Sequence, residues 1–248
     1  SRWRLHPGLR LYSGGAAPPA EMFRRFDQLG IRLQAGWGMT ETSPVATQAW
    51  LTLELRAQDE SLQMEARITG GVPLPLIDMR IVDEAGIALP WDDQAKGELQ
   101  VRGPWVTESY IGHPDPILAC TEDGWLKTGD IASIRPDGYL RLVDRLKDLV
   151  KSGGEWISSI DMENALMSHP DIYEAAVIAI PDARWGERPL AVVKLKSERQ
   201  PDLTAIRDFL SGRYPHWMVP ERIEFVAELP KTSVGKLNKR ALRESYAK

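Results

Sequence analysis

The sequence predicts a multidomain chain of α/β and α+β type. An α/β piece spans residues 1–65, a β-barrel-like piece 66–146 and a compact α+β domain 147–248. Three observations carry that prediction. An apolar strand-like run, a helix-spaced segment and a second apolar run open the chain, the local order of an α/β layer. From Gly70 to Val143 short strand candidates alternate with turn residues, which suits a small barrel or a strongly bent sheet. Beyond Asp148 helical and strand patterns mix, as in a small α+β domain.

Taken in order, Leu9 to Tyr12 alternates before SGGAAPP, AEMFRRFDQLG has helical spacing and stops at Gly30, and IRLQAGWG supplies the returning strand. Residues 50–65 are polar and mixed, a loop with some helix. Strand candidates MRIV, IALP, ELQVRG, IASI and YLRLV follow, divided by DEAG, WDDQAKG and RPDG. Pro136-Asp137-Gly138 fits a hairpin turn, since proline presets one dihedral and glycine accepts a positive φ. The stretch DRLKDLVKSGGEW, Asp144 to Trp156, fits neither period: its apolar positions are few and a Gly-Gly pair interrupts it. SSIDMENALMSHP reads as a helix with a capping-box-like start and Pro170 just past its end. EAAVIAIPD, RPLAVVKLK and RIEFVAELP read as strands, and LTAIRDFLSGRY as an amphipathic helix. With no internal repeat or low-complexity segment, the domain boundary rests on the change of texture at Asp144 to Asp148.

Bulk properties exclude several classes of function. The chain has 248 residues, 43% of them apolar, enough for a sizeable core. Lys and Arg nearly balance Asp and Glu, with a net charge of −4, so nucleic acid is not an expected partner. The single cysteine, Cys120, has no neighbouring ligand for zinc and no partner for a disulfide, and reads as a small buried residue in a reducing compartment. No apolar run reaches the roughly 18 residues of a membrane span, and no signal peptide opens the chain, so a cytoplasmic protein without transmembrane segments is expected. The opening SRWRLHPGLRLYSGG lacks an initiator methionine and enters a strand at once, as if cut from something longer.

Four motifs carry chemistry. SGGAAPP puts two glycines and two small alanines at a strand end, where backbone can approach a flat ligand or a phosphate; a strand-ending turn also wants glycine. GWGMTET, Gly36 to Thr42, repeats the theme around Trp37 and adds a hydroxyl, Thr40, that can bond a phosphoryl oxygen. Beside it a carboxylate, Glu41, can hold Mg²⁺ on the same polyphosphate. A helix N-terminus capped by Thr40 explains these two residues equally well. In WLKTGD, Asp130 can accept from both hydroxyls of a ribose, or be a turn aspartate. In PKTSVGK, Lys236 follows a glycine and can reach an anion as a mobile point charge, or be a solvated loop lysine.

These pieces, with GELQVRG at 97–103 and GYLRLVDRLKD at 138–148, occur in an order that resembles the adenylate-forming (AMP-binding) superfamily, most closely its medium- and long-chain fatty-acyl-CoA synthetases. The resemblance implies the C-terminal part of the large nucleotide- and acyl-binding domain, an α/β layer plus a small β-barrel, followed by a mobile α+β domain. It implies an acid–thiol ligase that uses ATP and Mg²⁺ to make an acyl-adenylate and then passes the acyl group to CoA. Lys236 would bridge carboxylate and α-phosphate, Thr40 would bond phosphate and Glu41 would hold Mg²⁺. Gly15, Ala16 and Ala17 would border adenine, Asp130 and Arg145 would grip the ribose, and Gly36, Trp37 and Gly38 would complete the nucleotide site. Lys147 matches the hinge position, where a polar, exposed residue absorbs a dihedral change as the second domain turns between half-reactions. Lys151 would serve the thioester step, with Gly153, Gly154 and Trp156 along the passage for pantetheine; a tight turn also explains the glycine pair.

Acetate-type relatives carry tryptophan at the position of Gly38, so glycine there implies room for a medium- or long-chain acid, or one of similar size such as 3-methylthiopropionate. The family's phosphate-binding loop precedes all these motifs and is not in the chain. The chain is therefore expected to be a C-terminal half, inactive alone and partnered by the N-terminal half of the same protein, with a second copy of itself as a further candidate. Two alternatives stand beside this reading. One is a fatty-acyl-AMP ligase or adenylation domain that loads a carrier protein; the other is a non-catalytic nucleotide-binding or interaction module.

Overall fold

The computed structural model describes residues 5–6, 8–15, 18, 20–110, 120–197, 202–233 and 235–246. They divide into two compact units between Val143 and Asp144. In the first unit, strand β1 (Arg10–Ser13), helix α1 (Ala20–Gln28) and strand β2 (Arg32–Trp37) form a strand–helix–strand crossover, with β1 parallel to β2 and Ser13 beside Ala35. A parallel pair needs such a crossover. Phe23 of α1 is fully buried with Leu33, Ala35 and Ala49, burial worth about 1.5–3 kcal/mol for a ring of that size. The helix stops where the sequence says it should. Ile31 N–H bonds the Phe26 carbonyl and Gly30 N–H bonds Asp27, with Gly30 at φ +70°, a Schellman ending that only a residue free to go left-handed accepts readily.

Strands β3 (Thr47–Gln48) and β4 (Val72–Pro73) extend this sheet in the order β1-β2-β3-β4. Between them lie the short helices α2 (Leu53–Arg56) and α3 (Glu60–Arg67), the helical part of the mixed stretch. Arg67 ties α3 to the end of α1 by a two-pronged bond to Asp27 at 2.7 and 2.8 Å. The barrel-like piece is a sheet of β5 (Asp78–Val82), β6 (Gly97–Arg102), β7 (Leu126–Ile134) and β8 (Leu140–Arg145) in that order. Ile81, Leu99, Val101, Leu126, Ala132, Ile134 and Leu140 fill its core. The expected IALP strand is reduced to one bridge, Ala88 to Val82. Asp83 accepts from the amides of Ala85 and Ile87 and draws those residues into a tight turn instead. The Pro136–Gly138 turn forms as expected, with Gly138 at φ +86°.

The second unit contains β9 (Val150–Ser152), β10 (Glu155–Ile157), α4 (Ser159–Met167), β11 (Ile172–Asp182), β12 (Gly186–Leu195), α5 (Leu203–Ser211), β13 (Arg222–Phe225) and α6 (Lys239–Tyr246). Its sheet runs β10-β9-β12-β11, with β13 parallel to β12 on the other side. Alternation along β11 covers both faces. Ala175 and Val177 pack with α4 and α5, while Ala176 and Ile178 pack with Leu242 of α6.

The division between units falls before Asp144, not before Lys147, because Asp144 is held by the second unit. It is 2% exposed, and its carboxylate accepts from the amide and hydroxyl of Ser159 in the first turn of α4. An anion at a helix N-terminus satisfies an orphan amide and opposes the positive end of the dipole. Ser158 caps the same helix by accepting from Asp161 N–H. Lys239 bonds Ser159 and pairs with Glu163 at 2.7 Å, and Glu163 also accepts from Val177 N–H. Burial, opposed by that lysine, holds the Glu163 carboxyl above its ordinary range. Asp148 is tied to Arg243 of α6 at 2.7 Å.

Candidate active site

The carboxyl ends of parallel β1 and β2 lie side by side, the edge where open α/β sheets bind ligands. Gly14 and Gly15 leave the first, with Gly15 exposed at φ +83°. Ala16 and Ala17, the expected adenine border, lie outside the described residues. Gly36, Trp37 and Gly38 end the second. A Cβ on Gly36 would lie 2.6 Å from the Thr47 carbonyl oxygen; one on Gly38 would lie 2.0 Å from that of Pro44 and 2.8 Å from Val45 Cα. Backbone packed this closely admits no side chain. The glycine at 38 thus has a local reason of its own, beside the acyl-pocket reason that the resemblance implies.

Residues Thr40–Thr42 form one 3-10 turn, whose geometry corrects the expected cap. The capping hydroxyl is that of buried Thr42, which accepts from Met39 N–H at 2.9 Å and donates to the Met39 carbonyl, leaving Thr40 exposed. Glu41 is half-buried. The Tyr110 hydroxyl donates to its Oε1 at 2.7 Å, and Thr107 N–H donates to its carbonyl at 2.8 Å. That hydrogen bond to Glu41 pushes the Tyr110 phenol up to about 12, so it stays a donor. Among the described residues no three His, Cys, Asp or Glu side chains gather to hold a metal. Glu41 alone fits a cation held mainly by phosphate oxygens and water, the mode Mg²⁺ prefers.

Asp130 owes its position to a bulge. Gln100 pairs with Lys127 and Glu98 with Ile131, so Leu99 on β6 faces three residues, Thr128 to Asp130, on β7. Gly129 takes φ +68° within the bulge. Thr128 Oγ1 donates to the Leu99 carbonyl at 2.7 Å and accepts from Asp130 N–H at 3.1 Å, occupying ladder groups that the bulge would orphan. The carboxylate is then met by Trp37, whose Nε1 donates to Oδ2 at 2.8 Å. The first unit therefore brings Gly15, Gly36, Trp37, Gly38, Thr40, Glu41 and Asp130 to one edge. Cys120 is half-buried; its thiol donates to the Thr107 carbonyl and burial pushes its pKa up.

In the second unit Arg145 and Lys147 are exposed, between the anchored Asp144 and Asp148. Gly153 and Gly154, at φ +62° and +87°, make the two-residue loop of the β9–β10 hairpin, so the tight turn is real. They differ in surroundings. A Cβ on Gly153 would sit 2.9 Å from the Trp185 ring, whereas one on Gly154 meets nothing within 4 Å. Lys151 donates its amide to Glu187, and its Nζ stands 5.6 Å from the centre of the Trp156 ring. Lys236 is exposed at the end of a small loop, its amide and carbonyl both bonded to Thr232, next to Gly235 at φ +80°. Sequence reasoning missed Tyr110, Trp185 and the Trp37–Asp130 bond. Only the last left a trace, a glycine inside a strand pattern, which often marks a bulge.

Two family models match in the expected order: AMP-binding enzyme over residues 4–111 and AMP-binding enzyme C-terminal domain over residues 161–236. The chain belongs to the AMP-binding enzyme family. Within it, the chain is 45% identical over 244 residues to a long-chain-fatty-acid–CoA ligase of Thermus thermophilus, covering 98% of this chain and 45% of that protein. It is 42% identical to a 3-methylmercaptopropionyl-CoA ligase of Ruegeria pomeroyi, covering 96% and 44%. The fold is similar to that of ATP-bound MatB from Rhodopseudomonas palustris, with a TM-score of 0.82 at 30% identity, over 95% of this chain and 45% of that one. The chain thus spans somewhat under half the length of these AMP-binding relatives. Among the described residues no helix is long and apolar enough to cross a membrane.

Proposed function

We propose that this chain is the C-terminal part of an ATP-dependent, AMP-forming acid–CoA ligase acting on a medium- or long-chain fatty acid or an acid of similar size such as 3-methylthiopropionate. The observation that carries the proposal is the edge of the first unit, where glycine-flanked strand ends stand with Glu41 and an indole-held Asp130 in a chain similar to acyl-CoA ligases. A carboxylate is a poor acyl donor, so the first step makes it a mixed anhydride. Its oxygen attacks the α-phosphorus of ATP and pyrophosphate leaves. That step brings an anion to a polyanion and needs fixed donors and positive charge where negative charge gathers. Thr40 would donate to phosphate, Lys236 would supply the charge near the α-phosphate, and Asp130 and Arg145 would hold the ribose. Mg²⁺, when bound through Glu41, neutralises phosphate charge. In the second step the CoA sulfur attacks the acyl carbon and AMP leaves; Lys151, Trp156 and the Gly153–Gly154 turn are assigned to it.

The test is pyrophosphate exchange and acyl-CoA formation by the full-length protein across acids from acetate to palmitate. Exchange and thioester formation should peak together at medium or long chains, or at the thioether acid. Exchange without any CoA ester would overturn the second step in favour of delivery to a carrier. No exchange with any acid would overturn the function.

A further inference from the structure

The two cations that the proposed adenylation takes from the second unit, Lys236 and Arg145, lie far apart in sequence, and one short helix ties their segments together. Lys236 stands three residues before Lys239, the first residue of α6. The residues between are fixed to that helix. Leu237 packs against Leu229 and Leu242, and Asn238 donates its amide to the Pro230 carbonyl while its Oδ1 accepts from Ala241 N–H. Arg145 directly follows Asp144. Helix α6 reaches that stretch twice: Lys239 Nζ donates to Ser159 Oγ, which donates on to Asp144 Oδ2 at 2.6 Å, and Arg243 pairs with Asp148 at 2.7 Å. Lys239 is an unexpected residue for its place. A cation in the first turn works against the helix dipole, and this one is also largely buried, its side chain 11% exposed. Burial is offset by Glu163 at 2.7 Å and by the Ser159 hydroxyl. A lysine that served only to solvate α6 would point outward, as the neighbouring Arg240 does at 86% exposure.

We infer that Lys239 is a positioning residue for acyl-adenylate formation, holding the Lys236 loop at a fixed place relative to Arg145 through Ser159 and Asp144. This rests on the reading of Lys236 and Arg145 as the cations that meet the α-phosphate and the ribose of ATP. A lysine at the end of a glycine loop has to be delivered to one phosphate oxygen while the arginine grips the nucleoside, so an error in the spacing of the two is felt in the transition state. Transfer of the acyl group to CoA is assigned to other residues of the unit and does not need that spacing. A lysine that mattered only for packing would weaken both steps alike.

The experiment measures single-turnover rates of the two half-reactions in the full-length protein, the second from added acyl-adenylate and CoA. Lys236→Ala sets the reference and should nearly abolish adenylation. Lys239→Met should slow adenylation by about 10-fold or more and leave thioester formation within about twofold of the unaltered protein. If Lys239→Met does not fold, the double variant Glu163→Gln/Lys239→Met removes the stranded buried charge, keeps an acceptor for Val177 N–H and should show the same split between the steps. Equal slowing of both steps, or adenylation unchanged in a folded variant, overturns the positioning role of Lys239. Adenylation that survives Lys236→Ala overturns the reading of Lys236, and the inference with it.

Discussion

At Gly38 a missing side chain has two competing explanations, an open acyl pocket and a close backbone contact, and the distances favour the second. An alanine methyl there would be forced onto the Pro44 carbonyl oxygen at 2.0 Å, so residues 43–45 would have to move. Gly38→Ala should therefore cost about 1–3 kcal/mol, read by denaturant unfolding, with the chain-length profile of the remaining activity unchanged. A stable variant that prefers shorter acids would restore the acyl-pocket explanation. Single residues divided sharply in what their sequence context reveals. Asp130, Glu41 and Lys236 stand in motifs whose residue types announce anion and hydroxyl chemistry. Thr40 and Thr42 have near-identical contexts, and only the closing of the 3-10 turn decides that Thr42 caps while Thr40 faces outward.

Among the elements, α1 was legible to its last turn because amphipathic spacing and a terminal glycine are local signals. The strands of the second unit were legible because β11 and β12 carry short continuous apolar runs, AAVIAI and PLAVV, as strands buried on both faces do. The β9 and β10 strands are three residues each, too short to show any period, which is why Asp144 to Trp156 resisted assignment. The β7 bulge was hidden for a different reason: it is defined by a mismatch with β6, and pairing partners do not appear in one strand's sequence. The hairpin loop carries a prediction of its own. Alanine at either glycine must take a positive φ, at about 1–2 kcal/mol. Gly153→Ala also presses on Trp185 and should lower stability further, whereas Gly154→Ala should leave adenylation intact and slow thioester formation. Single-turnover assays of each half-reaction would reveal it. Equal slowing of both steps by Gly154→Ala would count against a role in the CoA passage.

For the whole molecule, the two units were legible as a change of texture, but their division was not, since Asp144 looks like one more charged residue in a charged run. Lys147, the hinge position that the family resemblance implies, would serve as the pivot only if a turn first released Asp144 from Ser159. It lies in an exposed stretch flanked by two aspartates that are both bound within the second unit. Lys147→Pro should spare acyl-adenylate formation and block transfer to CoA; loss of both half-reactions to the same degree would refute the assignment. The anchoring of Asp144 also bears on how the protein can be taken apart. A recombinant second unit that starts at Lys147, as charge and texture alone would suggest, discards the carboxylate that holds Ser159. It would leave the first turn of α4 with an unanswered amide. Starting at Asp144 keeps the helix anchor with the helix it serves, and makes the piece that the contacts themselves define.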